Sequence, residues 1–343
     1  MGLKRCIIGR IMKVAIIGCG GMGQFHASLI SEMKDFEIVA FVDVDVDKAK
    51  LLAKKYGVSK YYKNWQDAVR DEEVEGVIIC TPVKFHKEIA VGALEAGKHV
   101  LCEKPPAMNA GEAEEMADVA KSSGRVLMYA FQYRFYNTSQ QIRELVREGC
   151  LGEVYRVRIH YLRTYGIPNG WFRLRKFAGG GPLIDCGVHF LDLVYWICGR
   201  PKPVSAFGKA YKVLTKGLPN FDVEDSFVGM VLFDNGMSMV IETSWVQHWY
   251  NEFLVMIYGS KAGVRVYPDP EVVRRVDRSS FEVKKLVMEG WREAHIKKLR
   301  HFKEVVESGY KDVTPSPEDG VVLMKIIDAL YKSAELGRSV EID

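Results

Sequence analysis

Long apolar runs are absent from this 343-residue chain. No stretch of 18 consecutive apolar residues occurs, which excludes a membrane-spanning helix. An excess of one charge is missing too. Lys and Arg number 48 against 44 Asp and Glu, a net charge of +4, with no basic block and no acidic tail. Nucleic acid is therefore not an expected partner, and neither is a membrane. Cysteine is sparse: seven are scattered at Cys6, Cys19, Cys80, Cys102, Cys150, Cys186 and Cys198, with no C-x-x-C pair. Several lie in apolar runs, and they read as reduced core residues of a cytoplasmic protein. Asn and Gln together number only 13, a depletion seen in heat-adapted chains. Repeats of 20–50 residues and low-complexity tracts are lacking. The start, MGLKRCIIGRIM, has neither the long apolar core nor the cleavage site of a signal peptide. Met12 directly precedes a strong strand, so residues 1–11 read as an extension outside the fold.

What is present is enough apolar mass (48%) beside 27% charged residues to build two soluble globular domains. Up to about residue 150, short apolar strands alternate with amphipathic helices. Strands are expected at Lys13–Gly18, Glu37–Asp43, Gly76–Cys80, His99–Cys102 and Val126–Tyr129. Helices are expected at Gly21–Ser31, Asp45–Tyr56, Phe85–Ala96 and Ala110–Ser122. That alternation predicts an α/β fold with a parallel sheet covered on both faces. Further on, the pattern becomes period-two, as in Gly152–His160, Ser205–Lys212, Ser226–Phe233, Met237–Trp245 and Phe253–Tyr258, with a hairpin signal at Asp234-Asn235-Gly236. These read as strands of an α+β domain with a large open, mostly antiparallel sheet. A helix over Pro182–Ile197 interrupts them, and Trp291–Ser308 and Pro317–Leu336 close the chain. The reading places a nucleotide-type domain at residues 12–130 and the α+β domain at 131–343.

Gly18-Cys19-Gly20-Gly21-Met22-Gly23 matches G-x-G-x-x-G between a strand and a helix, and Asp43 follows twenty residues past Gly23. Gly18 permits the tight turn, Gly20 lets a pyrophosphate approach the backbone, and Gly23 lets helix and strand pack closely. The helix N-terminus then offers free N–H groups to the phosphates. Asp43 suits ribose hydroxyls and repels a 2′-phosphate, and no Arg follows it, so NAD is expected rather than NADP. The competing reading is a glycine-rich turn without a ligand.

Two further clusters stand out. Glu103-Lys104-Pro105-Pro106 follows a strand directly, where open parallel sheets bind ligands; a surface lysine in a Pro-bounded turn would look the same. Gly179 to Asp192 (GGGPLIDCGVHFLD) opens a helix on which Asp185 and His189 are four apart and share one face, with Asp192 close to it. A satisfied core histidine is the alternative there. No second His stands at ligand spacing, so no metal is expected.

Taken in order, the glycine turn, Thr81-Pro82-x-x-x-His86, Glu103-Lys104-Pro105 and G-G-G-x-L-x-D-x-G-x-H-x-x-D resemble the glucose–fructose oxidoreductase / inositol dehydrogenase (Gfo/Idh/MocA) family over essentially the whole chain after Met12. The resemblance implies a Rossmann domain plus an α+β domain with a large open sheet, which forms the interface of a homodimer or homotetramer. It also implies hydride transfer between a nicotinamide cofactor and a sugar, cyclitol or nucleotide-sugar. Lys104, Asp185 and His189 match the family's active-site positions.

On this reading His189 is the general base for the alcohol proton, because an imidazole suits proton transfer near neutrality. Lys104 steadies charge on the reacting oxygen, and Asp185 orients a hydroxyl or tunes the other two. Glu103 braces Lys104 or the nicotinamide end, while Thr81, Pro82 and His86 line the cofactor cleft. Arg134, Tyr161, Trp171 and Arg173 are candidate contacts to a polyhydroxylated ring; Tyr133, Arg163 and Tyr165 lie beside them. Trp245, His248, Trp249 and Tyr250 read as sheet surface or subunit interface. Two other functions fit parts of the pattern. One is a glycosidase using NAD in a transient oxidation. The other is a dinucleotide-binding regulator, which should lack the catalytic Lys or His.

Overall fold

The computed structural model describes residues 10–309 and 312–343. Residues 1–9, most of the expected extension and with it Cys6, lie outside the described residues. The first strand, β1 (Met12–Ile17), is buried along almost its whole length, as a parallel strand covered on both faces must be. It leads through α1 (Gly21–Ile30) to β2 (Phe36–Val42), then α2 (Val46–Tyr56), β3 (Lys60–Tyr62), α3 (Trp65–Arg70), β4 (Gly76–Ile79), α4 (His86–Glu95), β5 (His99–Cys102), α5 (Ala110–Ser123) and β6 (Leu127–Tyr129). All six strands are parallel, in the order β3-β2-β1-β4-β5-β6. That is the doubly wound dinucleotide-binding order, with its crevice outside the carboxyl ends of β1 and β4. Helix α5 starts where Asn109 accepts the Glu112 N–H at 2.9 Å and stops at left-handed Gly124.

After α6 (Asn137–Arg147), a nine-stranded sheet is built from β7 (Val154–Leu162), β8 (Pro203–Tyr211), β9 (Ser226–Phe233), β10 (Ser238–Ser244), β11 (Glu252–Gly259), β12 (Gly263–Tyr267), β13 (Glu271–Arg275), β14 (Phe281–Lys285) and β15 (Val340–Glu341). The spatial order is β14-β13-β12-β11-β7-β10-β9-β8-β15. The sheet is mostly antiparallel, as expected, with β7 and β10 at its centre running parallel. The predicted hairpin turn joins β9 to β10, with Gly236 at φ +82°.

The short helix α7 (Arg175–Ala178) precedes the glycine run. The helix expected over Pro182–Ile197 is in two parts. Residues Leu183–Gly187 form a π-helical turn, closed by the Val188 N–H donating to Leu183 O, and α8 (Val188–Ile197) continues from it. Such turns concentrate at functional sites. The last two helices, α9 (Trp291–Glu307) and α10 (Pro317–Leu336), return toward the N-terminal half. Leu299, Phe302 and Val305 of α9 pack with Met12, Val14, Ile16 and Phe41 of the first sheet, so a helix from the far end of the chain completes that layer. Helix α10 lies against both α5 and β8. No helix among the described residues is long and apolar enough to cross a membrane. The described cysteines are unpaired, and Cys150, expected in the core, is exposed on the turn after α6.

Candidate active site

The glycine turn has the geometry its residues foretell. Gly18 sits at φ +98°, and a Cβ there would come within 2.6 Å of Cys80 O. A Cβ on Gly23 would stand 1.9 Å from Gly18 O. Around Gly20 and Gly21, by contrast, nothing lies within 4 Å of an added Cβ, so the backbone is open to a ligand. Helix α1 has no side-chain cap and no acid in its first turn, which leaves its first N–H groups available to an anion. Asp43 is fixed by two backbone donors, the Cys19 N–H at 2.8 Å and the Asp45 N–H at 2.9 Å.

Two cavities flank this turn and share Gly20, Cys80, Thr81 and Trp171 in their walls. One, of about 590 Å³, is lined by Gly18, Asp43, Asn64 and Pro82. The other, of about 530 Å³, is lined by Gly21, Met22, Lys104, Asp185, His189 and Tyr161. An extended dinucleotide has this outline: a carboxylate for a ribose at one end, glycine backbone and a helix N-terminus for the diphosphate, and a reactive compartment at the other end. The residues present therefore fit NAD, with Gly18, Gly20, Gly21, Met22, Gly23, Asp43, Thr81 and Pro82 around it.

The reactive compartment joins residues from distant segments. Lys104, just past β5, donates from Nζ to Asp185 Oδ1 at 3.0 Å and to the Asp185 carbonyl at 2.8 Å. The π-helical turn delivers both acceptors. Asp185 Oδ2 accepts the indole N–H of Trp245 at 3.0 Å and lies 3.3 Å from Cys186 Sγ. His189, at the start of α8, lines the same cavity, and its Nδ1 is buried without a partner. Tyr133 packs edge-on against the imidazole, ring centroids 5.5 Å apart.

Electrostatics divide the labour. Burial works against the Lys104 ammonium, yet the Asp185 carboxylate outweighs it and the net shift is upward. Burial likewise opposes the Asp185 charge, but Lys104 overrides it and pulls the carboxyl down to about 2. Burial, aided by the nearby Lys104 charge, drives His189 well below the ordinary imidazole range. At neutral pH the site thus holds an ammonium donor, a carboxylate and a neutral imidazole able to accept a proton.

Several expected contacts are placed elsewhere. Arg134 is fully buried and holds Asp192 through Nε at 2.8 Å and Nη2 at 2.5 Å, and Asp319 through Nη1 at 2.7 Å. It ties α8 to α10 and has no surface left for a ligand. Arg173 braces its own loop, donating to Pro168 O and Asn169 Oδ1, each at 2.7 Å. His86 is buried with its ring nitrogens 3.0 Å from Thr81 O and Pro105 O, so it pins the walls of the cleft together rather than lining it. Tyr161 and Trp171 do face the reactive cavity. Trp245, expected on a surface, is fully buried, its ring packed with Cys186, Phe221 and Val223 and its indole N–H donated to Asp185. His248, Trp249 and Tyr250 are exposed.

Glu103 braces the back of the site. Its Oε1 lies 2.8 Å from His26 Nε2 and 3.6 Å from Lys298 Nζ, and Lys298 contacts His295 Nδ1 at 3.1 Å. His295 and Trp291 also line the reactive cavity. Sequence reasoning missed these α9 residues. Nothing in their local pattern distinguishes them from an ordinary amphipathic helix nearly 190 residues downstream of Lys104. Among the described residues, no group of three or more His, Cys, Asp or Glu is placed to hold a metal ion.

A glycine-turn Rossmann sheet joined to a lysine–aspartate–histidine compartment defines an NAD-binding oxidoreductase. Residues 12–131 match the family model described as an oxidoreductase family with an NAD-binding Rossmann fold, and residues 139–265 match the GFO/IDH/MocA C-terminal domain. The chain belongs to the Gfo/Idh/MocA family. It is 34% identical to D-glucoside 3-dehydrogenase of Escherichia coli (strain K12), across 99% of this chain and 100% of that one. It is 26% identical to myo-inositol 2-dehydrogenase of Thermotoga maritima, across 97% and 99%. Among solved structures it is similar to an oxidoreductase domain protein from Kribbella flavida, with TM-score 0.89, 26% identity and coverage of 97% and 100%. It is also similar to GenD2 from gentamicin A biosynthesis in complex with NAD, with TM-score 0.84, 26% identity and coverage of 97% of both chains.

Proposed function

We propose that this protein is an NAD(H)-dependent dehydrogenase acting on a ring secondary alcohol of a sugar, glycoside or cyclitol, with Lys104, Asp185 and His189 as its catalytic group. The observation that carries this reading is the convergence of Lys104, Asp185 and His189 on one cavity wall facing the glycine turn, with Lys104 Nζ 3.0 Å from Asp185 Oδ1. The full-length likeness to a glucoside dehydrogenase and an inositol dehydrogenase supports the substrate class.

Lys104, held in place by Asp185, donates a hydrogen bond to the reacting oxygen and stabilises the charge that grows as the O–H proton leaves. Neutral His189 takes that proton. NAD⁺, when bound, would supply the hydride acceptor, and Gly20, Gly21 and Met22 would hold it in the compartment of Lys104 and His189. Tyr161 and Trp171 supply an aromatic wall against which the apolar face of a sugar ring stacks. Trp245 keeps the Asp185 carboxylate aimed at Lys104.

On the open face of the large sheet, Phe207 and Met230 pair across β8 and β9, with Leu232 two residues along the same face, each at least 40% exposed. This apolar face supports a homo-oligomer assembled through the sheet. The unpaired thiols support a reducing, cytoplasmic setting.

The test is a panel of glycosides, sugars and cyclitols incubated with NAD⁺ and followed at 340 nm. Turnover of at least one ring alcohol is the expected result. Loss of the reading would come from a protein that binds NADH yet oxidises no panel member. Phenol release from an aryl glycoside without net NADH would replace it with the glycosidase reading.

A further inference from the structure

Behind the wall that carries Lys104 lies a cluster of ionisable groups that the reaction above does not use. It joins His26 of α1, Glu103 after β5, and His295 and Lys298 of α9, and all four are at least nine-tenths buried. Cys80, after β4, faces it with a thiol that burial keeps protonated. Lys298 is wholly enclosed and lines neither cavity, so it touches no ligand. Its ammonium lies 3.1 Å from His295 Nδ1 and 3.6 Å from Glu103 Oε1. His26 Nδ1 and His295 Nε2, the outer ring nitrogens of this chain, are buried without partners. Both imidazoles are therefore neutral, and the charges of the cluster reduce to one carboxylate and one ammonium.

Glu103 does line the reactive cavity, together with Gly20, Gly21, Met22 and Lys104. Its charge is felt there unless something cancels it, because little water intervenes to screen it. We propose that Lys298 is the internal counter-charge of Glu103, and that this pair sets the preference of the reactive half of the cleft between the oxidised, cationic nicotinamide ring and the reduced, neutral one. The inference rests on the dinucleotide occupying both cavities, with its nicotinamide in the compartment of Lys104. Lys298 is then a positioning residue that acts through Glu103. A carboxylate left without it favours the cation; an ammonium left without Glu103 disfavours it. A purely structural ion pair behaves differently: removing either partner weakens the fold and the binding of both cofactor forms together.

The experiment measures dissociation constants for NAD⁺ by calorimetry and for NADH by fluorescence on four forms of the full chain: the parent, Lys298→Met, Glu103→Gln and the double variant. Lys298→Met is expected to lower the ratio Kd(NAD⁺)/Kd(NADH) on the order of tenfold. Glu103→Gln is expected to raise it, and the double variant to return it to the parent value. An unchanged ratio in both single variants, or equal weakening of both forms, overturns the proposal. Should Lys298→Met not fold, Glu103→Gln carries the test alone, in the opposite direction. A parent chain that binds neither form overturns the cofactor placement itself, and this inference with it, a result distinct from an unchanged ratio.

Discussion

Replacing Arg134 with Met separates two roles for a residue that the sequence places near the substrate. The guanidinium is wholly buried and forms hydrogen bonds to Asp192, Asp319 and Thr314. Asp319 retains Arg200, at 2.5 and 2.9 Å, when Arg134 is lost. Asp192 has Arg134 on both oxygens and is itself fully buried. Removing one partner of a buried pair costs about 3–5 kcal/mol, chiefly because the remaining charge has lost its compensation. At about 2.1 cal/mol/K per residue, the unfolding entropy of a 343-residue chain is about 0.7 kcal/mol/K, so the melting temperature should fall by roughly 4–7 °C. The sign of the pH dependence is also fixed. Burial pushes the Asp192 carboxyl up and Arg134 opposes it. Without Arg134 the folded chain must protonate Asp192, at a cost that grows by at most about 1.4 kcal/mol per pH unit above the ordinary carboxyl range and vanishes below it. Thermal unfolding followed by circular dichroism at pH 5 and pH 8 should show the larger deficit at pH 8, and adding Asp192→Asn should restore most of it. A variant that melts within about 1 °C of the parent while its KM for the alcohol rises would refute the structural role and restore Arg134 to the substrate site.

Lys104→Met should lower kcat by about 10²–10⁴-fold, with the NADH dissociation constant unchanged in a fluorescence titration. Because burial drives His189 below its ordinary range and Asp185 pulls Lys104 above its own, kcat/KM should stay flat from pH 6.5 to 10, with its acid limb below 6.5; a limb between pH 7 and 9 would contradict the assignment of base and donor. Asp43→Ala should weaken NAD⁺ by about tenfold while sparing NADP⁺, read as a change in the ratio of the two dissociation constants.

The parallel half of the fold was legible because buried parallel strands are short, continuous apolar runs. β1, β2 and β5 match their predicted spans within a residue. β3 and α3 escaped because Lys60–Tyr62 and Trp65–Arg70 are short, polar and partly exposed, with too few residues to establish a period. Strands β12 to β14 escaped because each is only five residues long. Gly263–Tyr267 alternates in burial over too short a span to stand out, and Phe281–Lys285, which alternates Phe281 and Val283 with charged residues, buries neither face. In the site, Lys104, Asp185 and His189 could be singled out because chemically unusual residues stood in apolar or glycine-rich surroundings. Arg134 misled because a cation after a strand looks the same whether it meets a ligand or two buried carboxylates. Trp245 misled because an aromatic strip at a strand end does not show which ring turns inward.

The assembled site explains why its chemistry cannot be read segment by segment. Each charge in it is set by a residue far away in sequence. Asp185 keeps the proton on Lys104 across 81 positions, and Trp245 holds Asp185 from 60 further on. Lys298 faces Glu103 from α9, the helix whose Leu299, Phe302 and Val305 also seal the first sheet. The covering of the nucleotide sheet and the electrostatics of the cleft therefore share one helix. Within α9 these two tasks fall to adjacent positions: Leu299 turns toward the sheet, and Lys298 toward Glu103. A substitution that loosens the packing of α9 must also move the ammonium that faces Glu103, so stability and the electrostatics of the cleft are coupled here through a single rigid element.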